Sequence, residues 1–79
     1  MMNDSLKPYL KDNIHLLIDT ASKIKEEIRK NQHDEFLIGK HMGLITALSL
    51  FYQQAFAFKI DPREIGFKYN DKDPDEYLL

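Results

Sequence analysis

Three histidines and three alternating aspartates come closest to a metal-binding pattern in this sequence. None of the histidines has a second His or a Glu three or four residues away, although helical zinc sites require such pairs. His15 and Asp19, four residues apart, are most simply a contact on the surface of a helix. Asp71, Asp73 and Asp75 resemble the start of a calcium loop, but Glu76 stands where that loop needs glycine. The sequence therefore predicts no bound metal and no cofactor.

The residue types needed for covalent catalysis are also missing. The chain has no cysteine, no glycine-rich phosphate loop and no serine in a nucleophile elbow. A helical protein of 79 residues also offers little concavity for a substrate. We expect a protein that is not an enzyme.

His41 is a polar residue within an otherwise apolar helical pattern. One hypothesis is a buried, pH-sensitive switch, since histidine changes charge near neutral pH. The other interpretation is a structural histidine with one nitrogen hydrogen-bonded and the other in water. If His41 were a switch, His41→Leu would abolish a change in dimer stability between pH 5 and pH 8.

Four basic residues near the end of the first helix, Lys23, Lys25, Arg29 and Lys30, could form a nucleic-acid patch. Glu26 and Glu27 dilute this cluster, and the formal net charge is −2. The architecture is similar to that of the small RNA-binding bundles that control plasmid copy number, but no residue-level match accompanies this similarity. RNA or DNA binding by a helical-hairpin dimer is therefore the alternative function, and the charge balance argues against it.

The helices that position these residues are predicted by an apolar spacing that is mirrored about Gln32–His33. Paired positions have residue numbers that sum to 65, and the intervals alternate between three and four, as in packed helices. The pattern predicts an antiparallel helical hairpin in an all-α fold. Its members are Leu10, Ile14, Leu17, Ala21, Ile24 and Ile28, then Leu37, His41, Leu44, Leu48, Phe51 and Ala55.

Capping residues set the predicted bounds of the helices at about 5–30 and 34–60. Ser5 or Asp4 would cap the first helix and Asp34 the second. Asp61-Pro62-Arg63-Glu64 has the order of a capping box, which predicts a short helical turn, and Asp73-Pro74-Asp75-Glu76 repeats it. We divide the chain into a hairpin domain with this third helix, residues 1–66, and an acidic tail, residues 67–79. The tail is either extended or packed on the hairpin.

The second helix carries more apolar surface than the first helix can cover. A second row on this helix predicts a homodimer in which two hairpins form a four-helix bundle. The predicted interface consists of Ile38, Met42, Ile45, Tyr52 and Phe56. The competing possibility is that the tail folds back over this row.

The sequence indicates a cytoplasmic protein without a membrane span or a signal peptide. Residues 36–58 are largely apolar, but Lys40, His41, Gln53 and Gln54 interrupt them. The predicted function is a small non-catalytic interaction or regulatory module. Its partners would be a second copy of itself and another protein that binds the tail.

Overall fold

The structure, a computed structural model, describes residues 5–79 as a helical hairpin with a packed tail. The first helix, α1, covers Leu6–Lys30, and the second, α2, covers Glu35–Ala57. The Asp34 side chain accepts a hydrogen bond from the backbone N–H of Leu37, as an N-cap residue does. The predicted all-α hairpin is therefore confirmed. Asp4, the alternative cap of α1, lies outside the described residues.

The mirrored apolar row forms the contact between α1 and α2. Six of its twelve members are buried, namely Ile14, Ala21, Ile24, His41, Leu48 and Ala55, and five are half-buried. Phe51 is the exception, because it is 46% exposed although its counterpart Ile14 is buried. A Cβ built on Gly66 would lie 3.0 Å from Ile14 Cβ. Ile14 is therefore buried against the turn at Gly66, while its predicted counterpart Phe51 stays partly exposed.

The second helix ends at Ala57, three residues before its predicted bound at residue 60. Lys59 has a left-handed φ of 59°, and the N–H of Ile60 donates to the Ala55 carbonyl at 2.7 Å. A left-handed residue of this kind ends a helix and reverses the chain. A glycine or asparagine in the sequence normally indicates a left-handed residue of this kind. Lysine does not, so the sequence did not predict the end of α2 at this point.

A 3₁₀ helix at Pro62–Ile65 and a short helix, α3, at Pro74–Leu78 follow. Both predicted capping boxes are present. Asp61 and Glu64 bond reciprocally around the first helical turn, and Asp73 and Glu76 around the second. Gly66 ends the 3₁₀ helix with a φ of 113°, a conformation that favours glycine.

The acidic tail is packed on the hairpin. Phe67 and Leu78 are 3% and 4% exposed, and both belong to the core that includes Ile45 and Tyr52. The Phe67 and Tyr52 rings meet edge to face with their centroids 5.6 Å apart. Of the two possibilities for the tail, the packed one is observed. The tail supplies apolar surface that a 79-residue hairpin needs for a core of useful size.

Candidate functional site

The predicted dimer interface is divided in the single chain into buried and exposed parts. Ile45 and Tyr52 are 3% and 6% exposed because the tail packs over them. Ile38, Met42 and Phe56 are 39%, 48% and 51% exposed. The tail thus covers the middle of this row, as the competing possibility predicts, and leaves both ends outside the core.

Asp73 attaches the tail to α2 at the middle of that row. Its carboxylate accepts hydrogen bonds from the Ser49 hydroxyl and, at 3.2 Å, from the Gln53 side-chain amide. It also accepts the backbone N–H of Asp75, while the Asp73 N–H donates to a Glu76 carboxylate oxygen at 2.8 Å. One carboxylate therefore both caps α3 and holds it on α2.

The hydrogen bonds at Asp73 favour its ionised form. Burial raises the pKa of this carboxyl, but the donors Ser49 and Gln53 and the α3 amide outweigh burial and lower the pKa below the ordinary value. The pKa of the neighbouring Tyr52 phenol is raised, first by burial and then by the negative charge of Asp73. Asp73 is consequently a charged acceptor at neutral pH.

A second apolar surface, which we call the outer face, lies on α2 between the side that packs on α1 and the side that the tail covers. It borders the tail where Leu50 lines a groove with Leu79, and it borders the core where Phe58 lines a groove with Ile14. Its residues recur at intervals of three and four, namely Phe36, Lys40, Gly43, Ala47, Leu50, Gln54 and Phe58. Phe36, Leu50 and Phe58 are 75%, 59% and 72% exposed. A Cβ on Gly43 would meet no atom within 4 Å in the described chain. No Asp, Glu, Lys or Arg occurs between Lys40 and Lys59.

His41 lies where the mirrored spacing places it, in the α1–α2 contact. It is 6% exposed, and its Nε2 is buried without a hydrogen-bond partner in the part of the chain that the structure describes. The structural interpretation expected one nitrogen bonded and the other in water, so the observed burial of Nε2 differs from it. A buried polar atom without a partner lowers stability. The switch hypothesis stays a prediction.

The four basic residues of the alternative function do not share one face of α1. Lys23 and Lys25 are two residues apart, which is a rotation of about 200° around a helix. Lys25 is half-buried, and the Arg29 guanidinium pairs with the Glu26 carboxylate at 3.0 Å. This arrangement gives nucleic acid no continuous basic strip along the helix.

An open cleft of about 690 Å³ lies between α1 and the tail. One wall carries His15, Asp19 and Ser22 from successive turns of α1, and the other carries Lys68 and Tyr77. The hydroxyl of Tyr77 is buried and makes no hydrogen bond within residues 5–79. Burial, more than the nearby aromatic hydroxyls, raises its pKa. The cleft combines acidic, basic and aromatic groups.

Two further findings limit the kinds of site present in residues 5–79. No three His, Asp or Glu side chains there are grouped so that they could hold a metal ion. No helix within the same range is both long and apolar enough to cross a membrane.

Comparison with known proteins found no similar family, curated protein or solved structure. The case for a function therefore depends on the surface of this chain itself.

Sequence reasoning missed both the Asp73 attachment and the outer face. The capping role of Asp73 was readable from its local pattern, but Ser49 is 24 residues away and nothing local links the two. The outer face had a signal in its repeat of three and four residues and in the absence of charged residues between Lys40 and Lys59. That signal was concealed because almost every position of α2 is apolar or small.

Proposed function

We propose that this protein is a small non-catalytic interaction module that acts as a homodimer, with two hairpins forming a four-helix bundle. One observation carries the proposal: α2 keeps large apolar side chains exposed after α1 and the tail have packed against it. Phe36, Leu50, Phe56 and Phe58 are each more than half exposed. A helix that is apolar on most of its circumference is normally buried on most of it.

The contrast between the two helices supports the same proposal. Helix α1 carries charged residues along its whole exposed side, with Arg29 paired to Glu26 and Lys7 to Glu64. Helix α2 has only Glu35 and Lys40 as fully charged residues, both in its first two turns. Depletion of charge together with exposed aromatic residues is characteristic of the central part of a protein interface.

The predicted interface is revised by the burial of Ile45 and Tyr52. These two residues already have their apolar contacts within the chain. A dimer contact through this row would use only Ile38, Met42 and Phe56, on either side of the tail. A contact with a different protein through the tail would use its exposed residues, such as Leu79, because Leu78 is buried in the core.

Sedimentation equilibrium over a wide concentration range tests the proposal. We expect a dimer at micromolar concentration and a reversible shift to monomer on dilution. A monomer at all concentrations would overturn the homodimer proposal. The nucleic-acid alternative predicts salt-dependent retention on immobilised RNA or DNA, and no retention at low salt would exclude it.

A further inference from the structure

We infer that a second copy of this chain docks antiparallel on the outer face of α2, with the twofold axis passing close to Ala47. The inference rests on the proposed homodimer and specifies which surface forms it. The outer face is preferred to the row containing Met42 and Phe56 because the tail interrupts that row. Between those two residues, Ser49 and Gln53 are bonded to Asp73.

The exposed large side chains of the outer face supply more than half of the area that a stable dimer needs. Phe36 and Phe58 are about three-quarters exposed, while Leu50 and the adjoining Phe51 are about half exposed. If a fully exposed side chain of this size presents about 200 Å², these four side chains together present about 500 Å² of apolar surface. A typical stable interface buries about 800 Å² on each partner. The exposed Gly43 and Ala47, with the stems of neighbouring polar side chains, extend the surface toward that value.

The order of residues along the face makes it complementary to itself. Phenylalanines stand at its two ends, Phe36 and Phe58, and the small residues Gly43 and Ala47 stand at its centre beside a single bulky residue, Leu50. Residue 47 is the midpoint of 36 and 58, so two antiparallel copies overlap most when the axis passes there. A twofold contact requires one patch to fit itself.

Charge selects the antiparallel arrangement over the parallel one. Lys40 is the only fully charged residue of the outer face. In a parallel pair of helices, Lys40 would face Lys40 of the second copy, and two like charges would be brought together in an apolar contact. In the antiparallel pair, Lys40 lies opposite Gln54 of the second copy. That amide oxygen can accept a hydrogen bond from the ammonium.

Single-cysteine variants test the position of the axis, because the native chain contains no cysteine. We expect mild oxidation of Ala47→Cys to give a covalent dimer, since a disulfide needs Cα atoms within about 7 Å. The matched controls are Thr20→Cys on the exposed side of α1 and Met42→Cys on the divided row. Both controls are expected to stay uncrosslinked at the same concentration.

Sedimentation of Ala47→Glu supplies the second measurement. A carboxylate at the axis would face its own copy, so we expect the dimer dissociation constant to rise at least tenfold, while Thr20→Glu leaves it unchanged. A native dimer in which Met42→Cys crosslinks and Ala47→Cys does not would overturn this inference and leave the homodimer intact. A native chain that is monomeric throughout would overturn both. A dimer unaffected by Ala47→Glu would also overturn this inference, because the contact between the two copies would then lie on another surface.

Discussion

His41 is a buried imidazole within the contact between two apolar helices, with Nε2 lacking a partner among residues 5–79. The residue takes a core position of the mirrored row, and neighbouring core positions hold Leu and Ile. A buried, unpaired polar atom costs about 1–3 kcal/mol relative to an apolar group of similar shape. We therefore expect His41 to lower the stability of the hairpin.

We predict that His41→Leu raises the free energy of unfolding at pH 7 by about 1 kcal/mol, because leucine removes the unpaired nitrogen from the core. Urea denaturation measures the change. The matched control is His15→Leu on the exposed side of α1, where we expect a change within about 0.5 kcal/mol. A marked loss of stability in His41→Leu would show that Nε2 has a partner in solution.

Asp61 provides a prediction about pH. Hydrogen bonds from the Arg63 guanidinium and backbone, with the attraction of its charge, lower the pKa of the Asp61 carboxyl from 3.8 to about 2. A carboxyl whose pKa is lower in the folded chain stabilises the fold above about pH 4. That contribution is lost as the pH falls through about 2.

An NMR titration of the side-chain carboxyl carbons should therefore show a midpoint for Asp61 near 2. In Arg63→Gln, we expect the midpoint to move up toward 3.8, because the cationic donor has been removed. A midpoint in the native chain close to 3.8 would mean that the Asp61–Arg63 contact at 2.7 Å does not persist in solution.

Among the elements, α3 is held on α2 by the Asp73 carboxylate in addition to the buried Leu78. We predict that Ser49→Ala lowers the free energy of unfolding by about 1–2 kcal/mol, because a charged acceptor loses a donor. This corresponds to a fall in Tm of about 4–8 °C per kcal/mol for a domain of this size. The control is Thr46→Ala one turn earlier, whose hydroxyl donates to the Met42 carbonyl of its own helix. Equal effects of the two variants would contradict the attachment.

The elements also show what could be read from the sequence and what could not. The two long helices, the facing row and both capping boxes follow from spacing and local side-chain chemistry, and the structure contains them. The early end of α2 did not follow, because a left-handed Lys59 has no distinct sequence signal. The covering of Ile45 and Tyr52 by the tail was left open. It depends on contacts such as Tyr52–Phe67, whose partners are far apart in the sequence.

In the whole molecule, the apolar surface of α2 is divided into three sides. Helix α1 covers one side, the tail covers the adjoining side, and the outer face remains. The outer face borders the tail at Leu50, which shares a groove with Leu79, whereas the Asp73 attachment lies on the divided row at Ser49. We expect the inferred dimer to leave that attachment in place. Dimerisation and the folding of the tail should therefore be separable by mutation.

The two glycines of α2 offer a test at this scale, because they are equivalent in the single chain and differ in the dimer. A Cβ on Gly39 or on Gly43 would meet no atom of residues 5–79 within 4 Å. Alanine stabilises an exposed helix by about 1 kcal/mol relative to glycine. In dilute solution, where the monomer predominates, we therefore expect both variants to unfold at a higher urea concentration than the native chain.

At high protein concentration the stabilities of the two variants should differ. Gly43 lies beside Ala47 at the centre of the outer face, where the second copy approaches closest, whereas Gly39 lies at the edge of that face. We expect Gly39→Ala to keep its gain, while Gly43→Ala loses it because the added methyl group separates the two α2 helices and weakens the dimer. Urea denaturation at two widely separated protein concentrations measures this difference. If Gly43→Ala kept its full gain in stability at high concentration, close packing at Gly43 would be ruled out. An added methyl group would weaken the dimer wherever the backbone of a second copy came close.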